Sequence, residues 1–222
     1  MIDIHTHIIP NFDDGSKSLE MTRTMLKQHI ENGVDIVVAT PHQNIRNLNK
    51  AIIIEKFNEL VNNVKDLPIK LLLGSEIYYY ENLIADLKSG KHLTINESKY
   101  LLIEFSTINE TNIVDIVYDL RMAGYIPIIA HIERYQYLTW QNYLEIKNGG
   151  ALIQVNAKSF MKKEYLKIIK FLLKNDLIDF IASDCHNDSI RNVDFDYAKK
   201  FVLKKYKSSY AKLFNNSNFN FN

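Results

Sequence analysis

Apolar residues are arranged along this chain in two alternating rhythms. Short, nearly continuous aliphatic runs occupy positions 2–5, 34–39, 69–73, 100–105, 126–130, 151–155 and 178–182. These read as strands, and the β-branched run at 34–39 carries the mark of burial on both faces. Between them the apolar positions recur at helical spacing. Met25, Leu26, His29 and Ile30 form one stripe, which Gly33 can end. Ile53, Phe57, Leu60, Val61 and Val64 form another, stopped by Pro68. Ile113, Ile116, Val117 and Leu120 precede Gly124, a short helix is expected over 140–147, and Leu166, Ile169, Leu172 and Leu173 make a further stripe. Ala198, Phe201 and Val202 predict a final helix.

Seven strands alternating with helices, without a linker or a fixed repeat, predict an α/β chain with a mostly parallel sheet. A barrel and a doubly wound sheet both fit the alternation. A single domain is expected over 1–212. The Asn- and Phe-rich segment 213–222 is expected to fray. The stretch 77–99 is less regular. It holds Tyr78, Tyr79 and Tyr80, which could line an aromatic pocket or simply pack, and His92, expected to be an exposed loop residue.

Composition narrows the class. The chain has 222 residues, 46% hydrophobic and 24% charged, an ordinary globular balance. A formal net charge of +1 gives no electrostatic reason to expect a nucleic-acid or membrane surface. Cys185 is the one cysteine, so no internal disulfide can form, as expected in a reducing cytoplasm. No basic segment leads into an apolar run near Met1, and no apolar stretch approaches the roughly 20 residues of a membrane span. A cytoplasmic location is therefore expected.

The candidate chemistry lies at strand ends. His5 and His7 are two apart on the first strand, so their imidazoles face the same way, with Asp13 and Asp14 close behind. His42 follows the second strand, Glu76 the third, Glu104 ends the fourth, His131 follows the fifth, and Asp184 and His186 follow the seventh. Residues at the C-terminal ends of many strands converge only if the sheet closes, which favours a barrel over an open sheet. Five histidines and four carboxylates (Asp14, Glu76, Glu104 and Asp184, with Asp13 as an alternate) exceed the needs of one ion, which takes about four ligands. The mixed nitrogen and oxygen set suits Mn, Fe or Zn. His29 is expected to pack on its helix rather than to ligate.

His5-Thr6-His7, Asp13-Asp14-Gly15, Thr40-Pro41-His42, Gly74-Ser75-Glu76-Ile77-Tyr78, Ile103-Glu104-Phe105, Ala130-His131-Ile132-Glu133-Arg134-Tyr135 and Ser183-Asp184-Cys185-His186-Asn187 together resemble the polymerase-and-histidinol-phosphatase (PHP) superfamily. Within it they are most similar to the bacterial manganese-dependent protein-tyrosine phosphatases of capsule and exopolysaccharide clusters. The resemblance extends to about Arg191. It implies a distorted seven-stranded (β/α) barrel and a centre of three divalent ions, Mn²⁺ by family habit, held by His5, His7, Asp14, His42, Glu76, Glu104, His131, Asp184 and His186. It also implies a phosphotyrosine substrate on the partner tyrosine kinase that drives polysaccharide assembly, and leaves the oligomeric state open. Three departures stand out: Ile132 replaces a usual proline, Cys185 stands where a small residue is common, and Asn11 where glycine or alanine is frequent.

Charge suggests the mechanism. Three divalent ions against four carboxylates and one hydroxide leave about +1, a centre that attracts phosphate. Metal-activated hydroxide is expected to attack phosphorus, with Arg134 and Arg191 clamping the phosphate through forked hydrogen bonds. Without the resemblance the two arginines would read as surface ion pairs. Cys185 and Arg191 also have the C-x5-R spacing of cysteine-dependent phosphatases. However, that loop lacks glycine, and Asp184 and Asp188 disfavour both a thiolate and phosphate, so Cys185 reads as a packing residue. The alternatives are another PHP phosphoesterase, such as a histidinol-phosphate phosphatase, and a non-catalytic metal-bound interaction module.

Overall fold

A computed structural model of the protein describes residues 1–43, 49–216 and 219–221. All seven expected strands form. They are β1 (Ile2–Thr6), β2 (Ile36–Ala39), β4 (Lys70–Leu73), β6 (Tyr100–Glu104), β7 (Ile126–Ile129), β8 (Leu152–Asn156) and β9 (Phe180–Ala182). Two short strands were not expected: β3 (His42–Gln43) after β2, and β5 (Glu76–Tyr78) after β4. In each case one extended run is interrupted, by Thr40-Pro41 and by Gly74-Ser75. Proline lacks the N–H that a ladder needs, so the run breaks there. Pairing continues across the gaps, as the Gly74 N–H donates to Ala39 (2.9 Å) and the Glu76 N–H to Pro41 (3.1 Å).

Every strand pairing is parallel. One sheet runs β1-β2-β4 and the other β3-β5-β6-β7-β8-β9. Their edges meet where a parallel bridge links Thr6 to Cys185. There the His7 N–H donates to Cys185 (3.0 Å) and the Asp184 N–H to His5 (2.9 Å). This seam brings the first and last strands together.

Strand alternation then sorts the core. Ile2, Ile4, Val38, Leu102, Ile128 and Phe180 form one buried cluster. Val37, Leu101, Ile103, Ile129 and Ile153 pack instead with helix residues. The helices involved include α1 (Leu19–Glu31), which buries Met25 and Leu26, α2 (Lys50–Asn63), which buries Ile53 and Leu60, and the short α3 (Leu83–Lys88). They continue with α4 (Ile113–Met122), α5 (Trp140–Asn148), α6 (Leu166–Lys174), α7 (Asp196–Lys205) and α8 (Lys207–Phe214). Ser18 caps α1 by accepting the Met21 N–H, and Gly33 follows its end at φ +69°, a conformation glycine adopts without strain.

Two expectations are corrected. The tail does not fray over its described residues. Leu213 and Phe214 are buried, Asn216 accepts the Ile2 N–H (3.0 Å), and Phe221 packs among Tyr100, Phe180 and Phe219. The phenylalanines find an apolar recess beside the first cluster, which local composition could not announce. Residues 217, 218 and 222 lie outside the described set. His92 is not an exposed loop residue either. It is buried and bonded to the Tyr80 hydroxyl at 2.7 Å. Among the described residues no helix is long and apolar enough to cross a membrane.

Candidate metal centre

The C-terminal strand ends converge. All nine residues expected as ligands fall into four overlapping groups whose donor atoms lie within 4.8 Å of one another. These are His7, Asp14, His42 and His186; His5, His7 and Asp184; His5, Glu76 and His131; and His42, Glu76 and Glu104. Glu76 is the hub. Its Oε1 lies 3.2 Å from His5 Nε2 and 3.1 Å from His131 Nε2, and its Oε2 lies 3.3 Å from His7 Nε2 and 3.0 Å from His42 Nδ1.

The imidazoles are oriented from outside. His7 donates its Nδ1–H to Asp13 at 2.8 Å, and His186 donates its own to the Asp184 carbonyl at 3.0 Å. His5 Nδ1 meets Gln154 Oε1 at 3.2 Å. That oxygen also accepts the His131 N–H (2.7 Å), which identifies it as the acceptor. The Tyr135 hydroxyl stands 3.5 Å from His131 Nδ1. An imidazole whose outer nitrogen donates presents the lone pair of its inner nitrogen, as in metal sites. His5 and His7 do so toward each other, with their Nε2 atoms 3.3 Å apart. Two donors on one zinc-sized ion stand roughly 3.4 Å apart, so the donor set and its spacing fit divalent cations.

Asp13 and Asp14 are told apart. Asp13 holds His7 and accepts the N–H groups of Gly15 and His42, whereas Asp14 Oδ1 faces His42 Nε2 and His186 Nε2 at 3.3 Å each. Gly15 permits this turn, because a Cβ there would stand 2.2 Å from the His7 carbonyl oxygen. His131 (φ +32°) and Asp184 (φ +51°) hold left-handed backbone conformations, strain of the kind that clusters at functional sites. Asn11 does the same (φ +54°), which explains why glycine suits that position.

The electrostatics point the same way. Burial opposes a charge on His5, but Glu76 and Asp184 outweigh it and raise its pKa to about 9. His7 is likewise raised against burial, by Asp13 and Glu76. Burial and the Glu76 charge raise Glu104, while burial and the His7 charge push His186 down to about 3. The field that draws protons onto His5 and His7 would equally favour cations.

Arg134 and Arg191 line a cavity of about 390 Å³ beside the cluster, with Asp184 and Ser183 in its wall. Arg191 pairs with Asp184 (3.0 Å) and stands 3.7 Å from Asp14. Tyr78, Tyr79 and Tyr80 do not line this cavity. Tyr78 is exposed, Tyr79 packs on Phe105, and Tyr80 bonds Asp86 and His92. Cys185 is fully buried, 4.0 Å from His29, which leaves no accessible thiol. His29 is packed as expected. It donates to the Met25 carbonyl (2.8 Å) and pairs with Asp3 (3.0 Å), which raises its pKa against burial to about 10.

Sequence reasoning missed the supports on β8, the one strand to which it assigned no ligand. Gln154 holds His5 and His131, and the Asn156 amide donates to Asp184 Oδ2 at 2.8 Å. The signal was available, since two polar residues inside the apolar run Leu-Ile-Gln-Val-Asn are costly to bury unless they are bonded. Asp3 was also missed. It joins β1 to β9 by accepting the Ser183 N–H at 3.1 Å.

Comparison with known proteins gives a consistent picture. Residues 1–220 match the family model described as capsular polysaccharide synthesis, CpsB/CapC. The putative tyrosine-protein phosphatase CapC of Staphylococcus aureus is 40% identical over 96% of this chain and 87% of that protein. The tyrosine-protein phosphatase YwqE of Bacillus subtilis is 34% identical over 92% and 84%. A crystal structure reported under the description of YwqE from Bacillus subtilis and CpsB from Streptococcus pneumoniae as metal-dependent tyrosine phosphatases superposes with a TM-score of 0.86. It is 31% identical and covers 93% of this chain and 87% of that one. A histidinol phosphate phosphatase from Lactococcus lactis shares the fold alone, at 14% identity and a TM-score of 0.61, covering 92% and 94% of the two chains. With residues 1–220 matched in this way, the chain belongs to the CpsB/CapC capsular polysaccharide synthesis family.

Proposed function

We propose that this protein is a metal-dependent tyrosine-protein phosphatase. The observation that carries the reading is the convergence of nine nitrogen and oxygen donors from six strand ends beside a cavity lined by two arginines. His5, His7, Asp14, His42, Glu76, Glu104, His131, Asp184 and His186 would hold the ions, three in number and Mn²⁺ in identity by the resemblance, with Fe or Zn compatible with the same donors. Bound there, divalent ions would supply positive charge for the phosphate oxygens and lower the pKa of water toward ~7.

The chain's own residues do the rest. Gln154, Asp13 and the Asp184 carbonyl fix three imidazoles with their inner nitrogens facing the centre. Arg134 and Arg191 offer forked donors to the phosphate from the cavity wall. Arg191 also steadies Asp184, so it links phosphate binding to the ligand set. The substrate is a phosphotyrosine on a bacterial tyrosine kinase of capsule or exopolysaccharide synthesis.

The test compares a phosphotyrosine peptide with histidinol phosphate, each with added Mn²⁺ and with EDTA. Turnover of the peptide that is lost on chelation and restored by Mn²⁺ is expected. A preference for histidinol phosphate would overturn the substrate, and turnover that survives exhaustive chelation would overturn the metal.

A further inference from the structure

The cavity beside the cluster carries more positive charge than one phosphate needs. Its wall holds Ser183 and Asp184, both buried, together with the exposed Arg191. The turn after β8 brings Lys158 and Lys162 to the same space, which Tyr165 and Ile190 also line. Of the four cations on this cavity, only Arg191 pairs with a carboxylate among the described residues. Lys158 is pinned rather than waving in solvent. Its ammonium donates to the Ile190 carbonyl (2.8 Å) and to Asn192 Oδ1, two neutral acceptors that leave its charge uncancelled and its third hydrogen free. Burial lowers its pKa, and the more distant Asp194 offsets this only in part. Lys162 is exposed and lies over the Tyr165 ring, 5.7 Å from its centre. Ile190, 85% exposed, adds an apolar edge.

We propose that Lys158 and Lys162 form a subsite for a second anionic group, a carboxylate or a second phosphate, close to the phosphotyrosine in the substrate chain. This rests on the tyrosine-phosphatase reading and adds to it what the substrate carries next to the scissile ester. The arginines and the ion cluster serve the reacting phosphate. Lys158, half-buried, and Lys162, exposed, line the same cavity, where a neighbouring side chain of the substrate would lie. Charge complementarity at such a rim sets selectivity and association more than the chemical step.

The experiment measures kcat and KM on phosphotyrosine peptides, with Mn²⁺ present, that carry Glu, Gln, Lys or a second phosphotyrosine at the flanking positions. In the unsubstituted protein the Glu peptide should exceed the Gln peptide about five-fold in kcat/KM, the size expected of exposed ion pairs. The difference should lie in KM and shrink as salt is added. A gain on the doubly phosphorylated peptide alone would assign the subsite to phosphate, and a gain on both to anions in general. Lys158→Met is expected to disturb the loop it holds, so Lys162→Glu is the decisive variant. It should reverse the order and favour the Lys peptide over the Glu peptide, a gain that misfolding cannot imitate. Equal values for the Glu, Gln and doubly phosphorylated peptides, or an unchanged order of the anionic and Lys peptides in Lys162→Glu, would overturn the subsite while leaving the phosphatase reading intact. Failure to turn over any of these peptides would overturn both.

Discussion

The histidines of this protein fall into two environments, and the contrast shows what sets a candidate ligand apart. At the rim, His5, His7 and His186 each engage their outer nitrogen with a neighbour and aim the inner one at carboxylates or at another imidazole. Below the rim, His29 has both nitrogens engaged, one by the Met25 carbonyl and one by Asp3. His92 has one nitrogen on Tyr80 and the other buried without a partner among the described residues. All are equally hidden from solvent, so burial does not separate them. The separation lies in whether inner nitrogens share a space with several carboxylates, since a closed set of hydrogen bonds leaves no lone pair for an ion.

The sharpest way to break this contrast is Glu76→Gln. The substitution keeps volume but removes the charge that faces His5, His7, His42 and His131. Turnover of a phosphotyrosine peptide should fall by about 10³-fold, beyond the 10–100-fold cost of losing an outer partner of a ligand. Elemental analysis should show ions lost in parallel. Full metal content with full activity would mean that Glu76 is only a buried structural carboxylate. The second test moves to the other environment. His29→Leu leaves Asp3 buried with only the Ser183 and His5 N–H groups. It should cost about 3 kcal/mol of stability by denaturant titration, as expected when one partner of a buried ion pair is removed. The folded variant should keep its ions. Loss of ions without loss of stability would place His29 with the rim histidines.

Much of this was legible in the sequence, for a physical reason. Buried parallel strands need continuous aliphatic runs, and a polar residue that ends such a run stands out, as Glu104 does after Leu-Leu-Ile. What was hidden depended on distant neighbours. Gln154 and Asn156 are neutral, so they gave no charge signal, and their value lies in bonds to His5 and Asp184 across the strands. Lys158 became notable only once the 186–192 loop folded over it. Phe221 reads locally as part of an Asn-rich tail and becomes core through contact with Tyr100 and Phe180. The breaks at Pro41 and Gly74 could have been anticipated, but the renewed pairing of His42 with Glu76 could not, since it depends on register between strands.

His92 offers the smallest and most selective test. Tyr80 donates its hydroxyl hydrogen to Asp86 (2.7 Å), so its oxygen accepts Nε2–H from His92, and Nδ1 carries the lone pair. A proton at Nδ1 would find no acceptor there among the described residues. Burial accordingly holds His92 down to about 4, with Asp86 pulling the other way and Lys91 adding to the depression. The unfolded chain binds that proton near pH 6.5. Between these values the unfolded state holds more protons, so the contribution is fully present above about pH 6.5 and is lost as pH falls toward 4. Other groups titrate over the same window, and the informative quantity is a difference between two proteins. The stability lost between pH 7.5 and 4.5 should be about 2 kcal/mol smaller in His92→Phe than in the unsubstituted chain. An identical loss in both would show that His92 is free to charge in the folded state, and would place it with neither class of histidine.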